Sequence, residues 1–280
     1  MSTVVETSLA NHLSRLNELP SLSALLLEAL QLLNSGYDAH ELAEKIGQDP
    51  PMTAKILRIA NSPFYGRARQ ISSLADAIVL LGRNQIGDLL LSVCFTNIIP
   101  SRIENVDYSF FWNHCLAVAN CTRKLGLVCD IESDMAFTAG LLHDIGRLIM
   151  ITLYTEQYRA LFDDSALALH YLGEQERALL GFDHAQIGGH VAKMWNFPPE
   201  IQEAIEQHEQ PPSPRTAISL SALIYTANLL VYQAQQAENG NEALQQAILD
   251  ALELLAVSTE QASCIAQDSL TYADHITALL

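Results

Sequence analysis

The segment GLLHDIGRLIM at residues 140–150 places a histidine and an aspartate side by side in an otherwise apolar run. A carboxylate inside such a run costs free energy unless it is paired or holds a cation. His143 and Asp144 therefore mark either a helix end that reaches water or a functional site. Imidazole and carboxylate are both donors to divalent transition metals. Two donors do not complete a metal's coordination shell, so other segments would have to supply more.

Three further histidines are candidates for those additional donors: His114 in FWNHC, His184 in GFDHAQIG and His208 in EQHEQ. Several such donors converging on one or two cations is the arrangement that a metal-dependent phosphohydrolase needs. Asp183, with Gln186 three residues later, predicts a helix N-terminus that places His184 in the first turn. The positive end of a helix disfavours a protonated imidazole, so we expect His184 to be neutral. For each histidine taken alone, a surface or hydrogen-bonded core position is the plainer interpretation.

The elements that would carry these residues are helices throughout. Apolar residues recur at spacings of three and four, and alternating strand-like runs are scarce. Proline and glycine punctuate the pattern: Pro50 and Pro199 are placed to begin helices, and Gly36 and Gly82 to end them. The sequence predicts an all-α protein, with one helical lobe before about residue 105 and another after it.

Composition limits the kinds of partner. The chain has 280 residues, 49 % of them hydrophobic, and a net charge of −17, which argues against general affinity for nucleic acid or anionic membranes. Five cysteines form no CxxC pair, which is typical of reduced thiols in a cytosolic protein. No signal peptide and no uncharged apolar stretch of about 18 residues is evident, so we expect a cytoplasmic location and no membrane span.

Charge is nevertheless uneven along the chain. Residues 45–83 hold six of the 15 basic residues and only two acids, whereas residues 216–280 hold seven acids and no lysine or arginine. The segment ELAEKIGQDPPMTAKILRIANS is compatible with a helix-turn-helix in which Lys55 and Arg58 lie on the second helix. DNA binding is therefore one alternative. A surface for an acidic protein partner or a nucleotide second messenger is another, and a solvated face of a packed helix explains the same residues.

Taken together, several segments in one order resemble the HDOD family, the "HD-related output domain" of bacterial signalling proteins. The matching segments are LPSLSALL, DPPMTAKILRIANSPFYG, ISSLADAIVLLG, FWNHCLAVA, AFTAGLLHDIGRLIM and LGFDHAQIGGHVAKMWNFPPEIQEAIEQHEQP. The resemblance implies an HDOD domain over residues 17–230. It divides into an N-terminal helical lobe at 17–105 and a degenerate HD lobe, similar to HD-superfamily phosphohydrolases, at 106–230. Acidic helices at 231–280 are expected to pack on it or extend it.

The same resemblance implies a ligand set. His114 matches the first HD-superfamily histidine, His143 and Asp144 match the HD pair, and His184 and His208 match the two downstream histidines of HD-GYP phosphodiesterases. A divalent transition metal (Fe, Mn or Zn) is compatible with this set, although the resemblance does not require one.

Three positions depart from those enzymes. Glu209 stands where HD-GYP enzymes have the second histidine of a pair, Asn228 where HD enzymes have a final aspartate ligand, and Arg147 where HD-GYP enzymes have lysine. An amide is a weaker ligand than a carboxylate, and arginine does not donate a proton at neutral pH. The resemblance therefore implies a regulatory module that acts through other signalling proteins and has no hydrolytic activity. The alternative is a working metal-dependent phosphohydrolase for a nucleotide or cyclic dinucleotide.

Overall fold

The computed structural model describes residues 38–63, 71–98, 108–154, 172–212, 218–236 and 241–278. Within these ranges every regular element is an α-helix and no strand occurs, which confirms the predicted all-α class. The helices described are α1 (Ala39–Ile46), α2 (Pro50–Ala60), α3 (Leu74–Ile98), α4 (Tyr108–Val128), α5 (Ser133–Leu142), α6 (Ile145–Leu153), α7 (Leu172–Leu180), α8 (His184–Met194), α9 (Pro199–Gln207), α10 (Leu220–Gln235), α11 (Glu242–Leu255) and α12 (Thr259–Thr277). The helix predicted to end at Gly36, and the part before residue 172 of the helical stretch predicted around 156–180, lie outside the described residues.

The first helices begin where the sequence indicates. The carboxylate of Asp38 accepts a hydrogen bond from the backbone N–H of His40 at the start of α1. Asp49 does the same for Met52 at the start of α2, where Pro50 occupies the first helical position. In α3, Gly82 has φ 76° and ψ 169°, so the helix predicted to stop at this glycine is interrupted there.

The later helices form the part of the molecule that carries the candidate ligands. Helix α4 packs mainly against α5 and α10, and α8 packs against α9 and α6. The junction of α5 with α6 is buried nearly completely, with Phe137, Leu142 and Met150 at 1 % exposure or less. A side chain placed at this junction is therefore surrounded by protein on every side.

The described residues divide into two compact units. Residues 108–271 form one unit, and residues 38–98 form the other together with 272–278, which are the end of α12 and the residue after it. Within the second unit, Ser62 lies 3.0 Å from His275 Nε2, and the Tyr272 hydroxyl donates to Asp88 at 3.4 Å. The domain limits at residues 105 and 230 stay predictions.

One stretch of the described chain, Ser133–Leu153, is long and apolar enough to cross a membrane. It consists of α5, the turn after it and α6, and 83 % of its most apolar window is buried inside the protein. A buried core helix passes the same length and hydropathy test, so this stretch is weak evidence for a membrane span.

Candidate metal centre

The structure brings all five predicted ligands together. They form two groups of three that share one carboxylate, and within each group the donor atoms lie within 4.8 Å of one another. The groups are His114–His143–Asp144 and Asp144–His184–His208. Each of the five residues is 5 % exposed or less. The ligands come from α4, the α5–α6 junction, the start of α8 and the end of α9, so four separate parts of the chain meet here.

The HD pair lies at a break between two helices. Helix α5 ends at Leu142 and α6 begins at Ile145, so the pair does lie at a helix end, but that end is buried and does not reach water. The turn directs both side chains of the pair inward. His143 Nδ1 lies 2.7 Å from the carbonyl oxygen of Gly140, and His143 Nε2 lies 3.4 Å from Asp144 Oδ2. If Nδ1 donates to that carbonyl, the lone pair of Nε2 is left facing the carboxylate.

His184 is the first residue of α8, and the predicted capping box is confirmed. Asp183 accepts from the backbone N–H of Gln186, and the Gln186 side chain accepts from the N–H of Asp183. A second acid completes this helix start. Glu176 Oε2 lies 2.7 Å from both the backbone nitrogen and the Nδ1 of His184. A carboxylate on the distal imidazole nitrogen fixes the ring orientation and raises the basicity of the other nitrogen.

Glu176 is a residue of the site that no motif in the sequence singles out. The sequence shows an acid eight residues before a candidate ligand. The structure shows that this acid, in α7, is buried at 0 % exposure and pairs with that ligand. Its carboxylate also overturns the expectation of a neutral His184. Burial and the Arg147 guanidinium both lower the pKa of His184. The Glu176 and Asp144 carboxylates outweigh them and raise it to about 10 in the metal-free protein. A metal bound at His184 Nε2 would have to displace that proton.

The other two histidines are held in their neutral forms. His208 follows α9, with Nδ1 2.7 Å from the carbonyl oxygen of Ile205 and Nε2 3.5 Å from Asp144 Oδ1. Its burial lowers its pKa. His114, in α4, has its ring centre 5.5 Å from that of His143. Burial, together with the nearby His143, lowers the pKa of His114 to about 4. Both imidazoles therefore keep a lone pair for a ligand at neutral pH.

Asp144 is surrounded by positive or donor groups. Its Oδ1 lies 3.1 Å from Arg147 Nε and 3.3 Å from His184 Nε2. Burial raises the pKa of this carboxyl, but Arg147 and His143 more than offset it and hold the pKa well below its usual range. Arg147 is itself 2 % exposed and reaches Glu209 Oε1 at 3.4 Å through Nη2. Glu209, named from the sequence as a departure, thus faces the cluster and also lies 3.4 Å from His184 Nε2.

The cluster meets a simple test of fit for a cation. His143 Nε2 and both carboxylate oxygens of Asp144 are buried and make no hydrogen bond of normal geometry in the described part of the chain. Buried polar atoms of this kind are costly unless something satisfies them. Imidazole and carboxylate donors together suit Fe, Mn or Zn without selecting among them. Asn228 is also buried, at 3 % exposure, and its Oδ1 has no hydrogen-bond partner among the described residues.

Two glycines allow the helices of the centre to approach this closely. A Cβ on Gly146 would lie 1.9 Å from the carbonyl oxygen of His184 and 2.8 Å from the backbone nitrogen of Gly188. A Cβ on Gly188 would lie 2.8 Å from a methyl group of Ile205. The contact of α6 with α8 therefore depends on the glycine two residues after Asp144, and it sets the spacing between Asp144 and His184.

Comparison with known proteins supports the same fold and family. The family model "HDOD domain" matches residues 19–211. An HDOD domain protein of unknown function from Geobacter sulfurreducens is 24 % identical, with a TM-score of 0.69 over 99 % of this chain and 97 % of that one. A presumed phosphohydrolase from Shewanella amazonensis is 22 % identical, with a TM-score of 0.72 over 96 % of this chain and 97 % of that one. At these identities the two likenesses show the fold alone.

Two further relatives match this chain over different shares of its length. The response regulator MmoQ from Methylococcus capsulatus is 26 % identical, with a TM-score of 0.50 over 88 % of this chain and 97 % of that one. An uncharacterized protein of Treponema pallidum is 24 % identical over 229 residues, which are 78 % of this chain. The match covers only 43 % of that relative, so this chain spans less than half its length.

Proposed function

Since the chain belongs to the HDOD family, we propose that it is a regulatory module that holds a transition-metal ion in a closed centre and acts through protein contacts, without hydrolysing phosphoesters. The observation that carries this proposal is burial. All five ligands and Arg147 are 5 % exposed or less, so the groups that would have to contact a substrate phosphate are enclosed by protein, and the coordination position that three donors leave open would be filled by a small ligand such as water. Among the described residues, Glu209, at 20 % exposure, and the partly exposed Gln235 beside His114 connect the cluster with solvent.

The residues around the HD pair give a second reason. A phosphohydrolase needs a group that transfers protons to or from the reacting oxygens. Arg147 keeps a positive charge but does not release a proton at neutral pH. Both of its described carboxylate contacts, Asp144 and Glu209, hold the guanidinium in the protein interior rather than at an open substrate position. The positive charge of Arg147 is thus paired with carboxylates of the protein itself.

The proposed metal would be held by His114, His143, Asp144, His184 and His208, in one or both of the two groups. A bound divalent ion would supply a positive charge that offsets the buried carboxylate, and it would link elements that packing and polar side-chain contacts already bring together. The protein residues prepare this role. Gly140, Glu176 and the carbonyl of Ile205 each occupy the Nδ1 of a different histidine and so leave its Nε2 for the cluster.

One alternative function has a specific observation in its favour. Two ligand groups sharing a single carboxylate could hold two adjacent cations, which is the arrangement of two-metal phosphohydrolases. The Shewanella relative carries a phosphohydrolase name. In that case the substrate class would be a nucleotide or cyclic dinucleotide, and the cluster would have to open to admit it.

The proposed partners are signalling proteins of the same cell. A nucleotide second messenger is a further candidate for the basic 45–83 region. DNA is the least favoured partner because the net charge of −17 opposes phosphate contacts. Binding of duplex DNA at low ionic strength, with a steep loss of affinity as salt rises, would contradict this order.

The deciding experiment combines metal analysis with activity. The purified protein is reconstituted with Fe, Mn or Zn, and its metal content is measured by mass spectrometry. Turnover is then assayed on bis(4-nitrophenyl) phosphate and a set of nucleotides and cyclic dinucleotides. We expect bound metal that His143→Ala loses, and no turnover. Hydrolysis that disappears in His143→Ala would overturn the regulatory assignment, and a protein free of metal under replete conditions would overturn the metal centre.

A further inference from the structure

The charge of Arg147 acts on histidines of both ligand groups, but its ion pair with the shared carboxylate is made through a single oxygen. Asp144 offers Oδ2 toward His143 Nε2 at 3.4 Å. It offers Oδ1 toward His184 Nε2 at 3.3 Å and His208 Nε2 at 3.5 Å. Arg147 Nε lies 3.1 Å from that same Oδ1. The guanidinium therefore faces the carboxylate oxygen that the second group would use for a metal.

Arg147 also engages the other carboxylate beside the second group. Its Nη2 lies 3.4 Å from Glu209 Oε1, and the same Glu209 oxygen lies 3.4 Å from His184 Nε2. The guanidinium is thus in contact with both acids that could bind an ion next to His184. At 2 % exposure it is enclosed by protein. Arginine stays charged at every physiological pH, so this cation is permanent.

We propose that Arg147 takes the place of a second metal ion, so that the centre binds one ion, at His114, His143 and Asp144, and not two. This inference rests on the proposed metal centre and specifies how many ions it holds. A divalent ion at the second group would compete with the guanidinium for Asp144 Oδ1 and Glu209 Oε1, and would be repelled by it at short range. The first group meets its carboxylate through the opposite oxygen.

The charge balance of the cluster also favours one bound ion over two. Three carboxylates contact the histidines or the arginine of the cluster: Asp144, Glu176 and Glu209. Arg147 leaves the cluster two charges negative if every imidazole is neutral, and one charge negative while His184 keeps its proton. One divalent ion then leaves the cluster neutral or one charge positive, whereas two would leave it at least two charges positive. Buried uncompensated charge is strongly unfavourable.

The test counts ions with Mn²⁺ as the probe. Wild type and variants are stripped with chelator, reloaded with Mn²⁺ and desalted, and bound manganese is measured per chain. Electron paramagnetic resonance then distinguishes an isolated Mn²⁺ ion from a coupled pair. We expect one isolated ion in wild type and two coupled ions in Arg147→Gln, which removes the charge while keeping a polar side chain. Arg177→Gln is the matched control, since Arg177 is 48 % exposed, pairs with Asp183 and makes no described contact with Asp144. It should keep one ion.

Two more variants locate the ion even if Arg147→Gln fails to fold. His114→Ala should lose the single ion and His208→Ala should keep it. The reverse pattern, or two ions in wild type, would overturn the inference. One ion in both wild type and folded Arg147→Gln would overturn the role of Arg147 alone, leaving the proposed metal centre standing. No ion in either protein would overturn both proposals.

Discussion

Replacing Gly146 with alanine tests whether the close contact of α6 with α8 builds the centre. An added Cβ would lie 1.9 Å from the carbonyl oxygen of His184, whereas such contacts in proteins essentially never fall below 3.0 Å. The two helices must therefore separate locally by at least about 1.1 Å, and the obstacle is backbone that has no alternative rotamer. Overpacking of a buried contact costs about 1–3 kcal/mol, and more where the backbone has to move.

We expect Gly146→Ala to lower the free energy of unfolding by about 3 kcal/mol, after allowing for up to about 1 kcal/mol of helix propensity that alanine returns. For a protein of this size that corresponds to a fall in Tm of roughly 6–12 °C. Urea and thermal unfolding followed by circular dichroism, in buffer with chelator, measure the effect without metal. The same displacement separates Asp144 from His184, so it should also perturb the second ligand group.

The control is Gly126→Ala in α4. There a Cβ would meet the Ala136 side chain at 3.2 Å, a distance that a small adjustment relieves. This variant should remain within about 1 kcal/mol of wild type because the tight contact and the helix propensity oppose each other. If Gly146→Ala is as stable as Gly126→Ala, the contact does not constrain the two helices and the proposed basis of the site geometry is wrong.

Three other variants or measurements follow from single contacts. Glu176→Gln keeps a hydrogen-bond acceptor but loses the charge beside the α8 imidazole, so the pKa of His184 should fall from about 10 in the metal-free protein, as followed by NMR titration; an unchanged pKa would remove the acid from the centre. Asp183→Ala and Asn241→Ala each delete an N-cap and should each cost about 1 kcal/mol in urea unfolding. Only the first should also shift the NMR signals of the His184 ring, because Asp183 begins the helix that carries it. Burial raises the pKa of Cys121 to about 12, so iodoacetamide at pH 8 should label the exposed Cys264 and leave Cys121 unmodified, as read by peptide mass spectrometry. Equal labelling would contradict its burial.

The sequence was sufficient for the parts of this fold that local chemistry determines. Pro50 begins a helix as predicted, Gly82 interrupts one, and Asp183 with Gln186 forms the capping box. Each of these features depends on residues within a few positions of one another. Hydrogen bonds at a helix start are local, so a single sequence carries the whole signal.

The contacts that define the metal centre depend instead on how the folded chain brings side chains together and buries them. The pair of Arg147 with Glu209 joins residues 62 positions apart, and no local pattern reveals that the side chains meet. Glu176 is only eight residues from His184, but periodicity places it on a polar helix and does not show that its carboxylate is buried. The charge on His184 was mispredicted for the same reason. The sequence shows that His184 begins a helix, which lowers the pKa of an imidazole. It does not show that the Glu176 and Asp144 carboxylates, which raise that pKa by more, are brought beside His184 by folding.

Burial also decides how the retained HD pair should be interpreted. Asp144 is ionised and 1 % exposed, so the folded protein has to compensate its charge whether or not any reaction takes place. In Asp144→Asn the carboxylate disappears, and Arg147 would remain with Glu209 as its other described carboxylate contact. Asp144 therefore contributes to the charge balance of the protein interior independently of any reaction. An intact HD motif in this chain is evidence for a buried, cation-compensated junction between α5 and α6, and hydrolysis requires separate evidence from the residues around it.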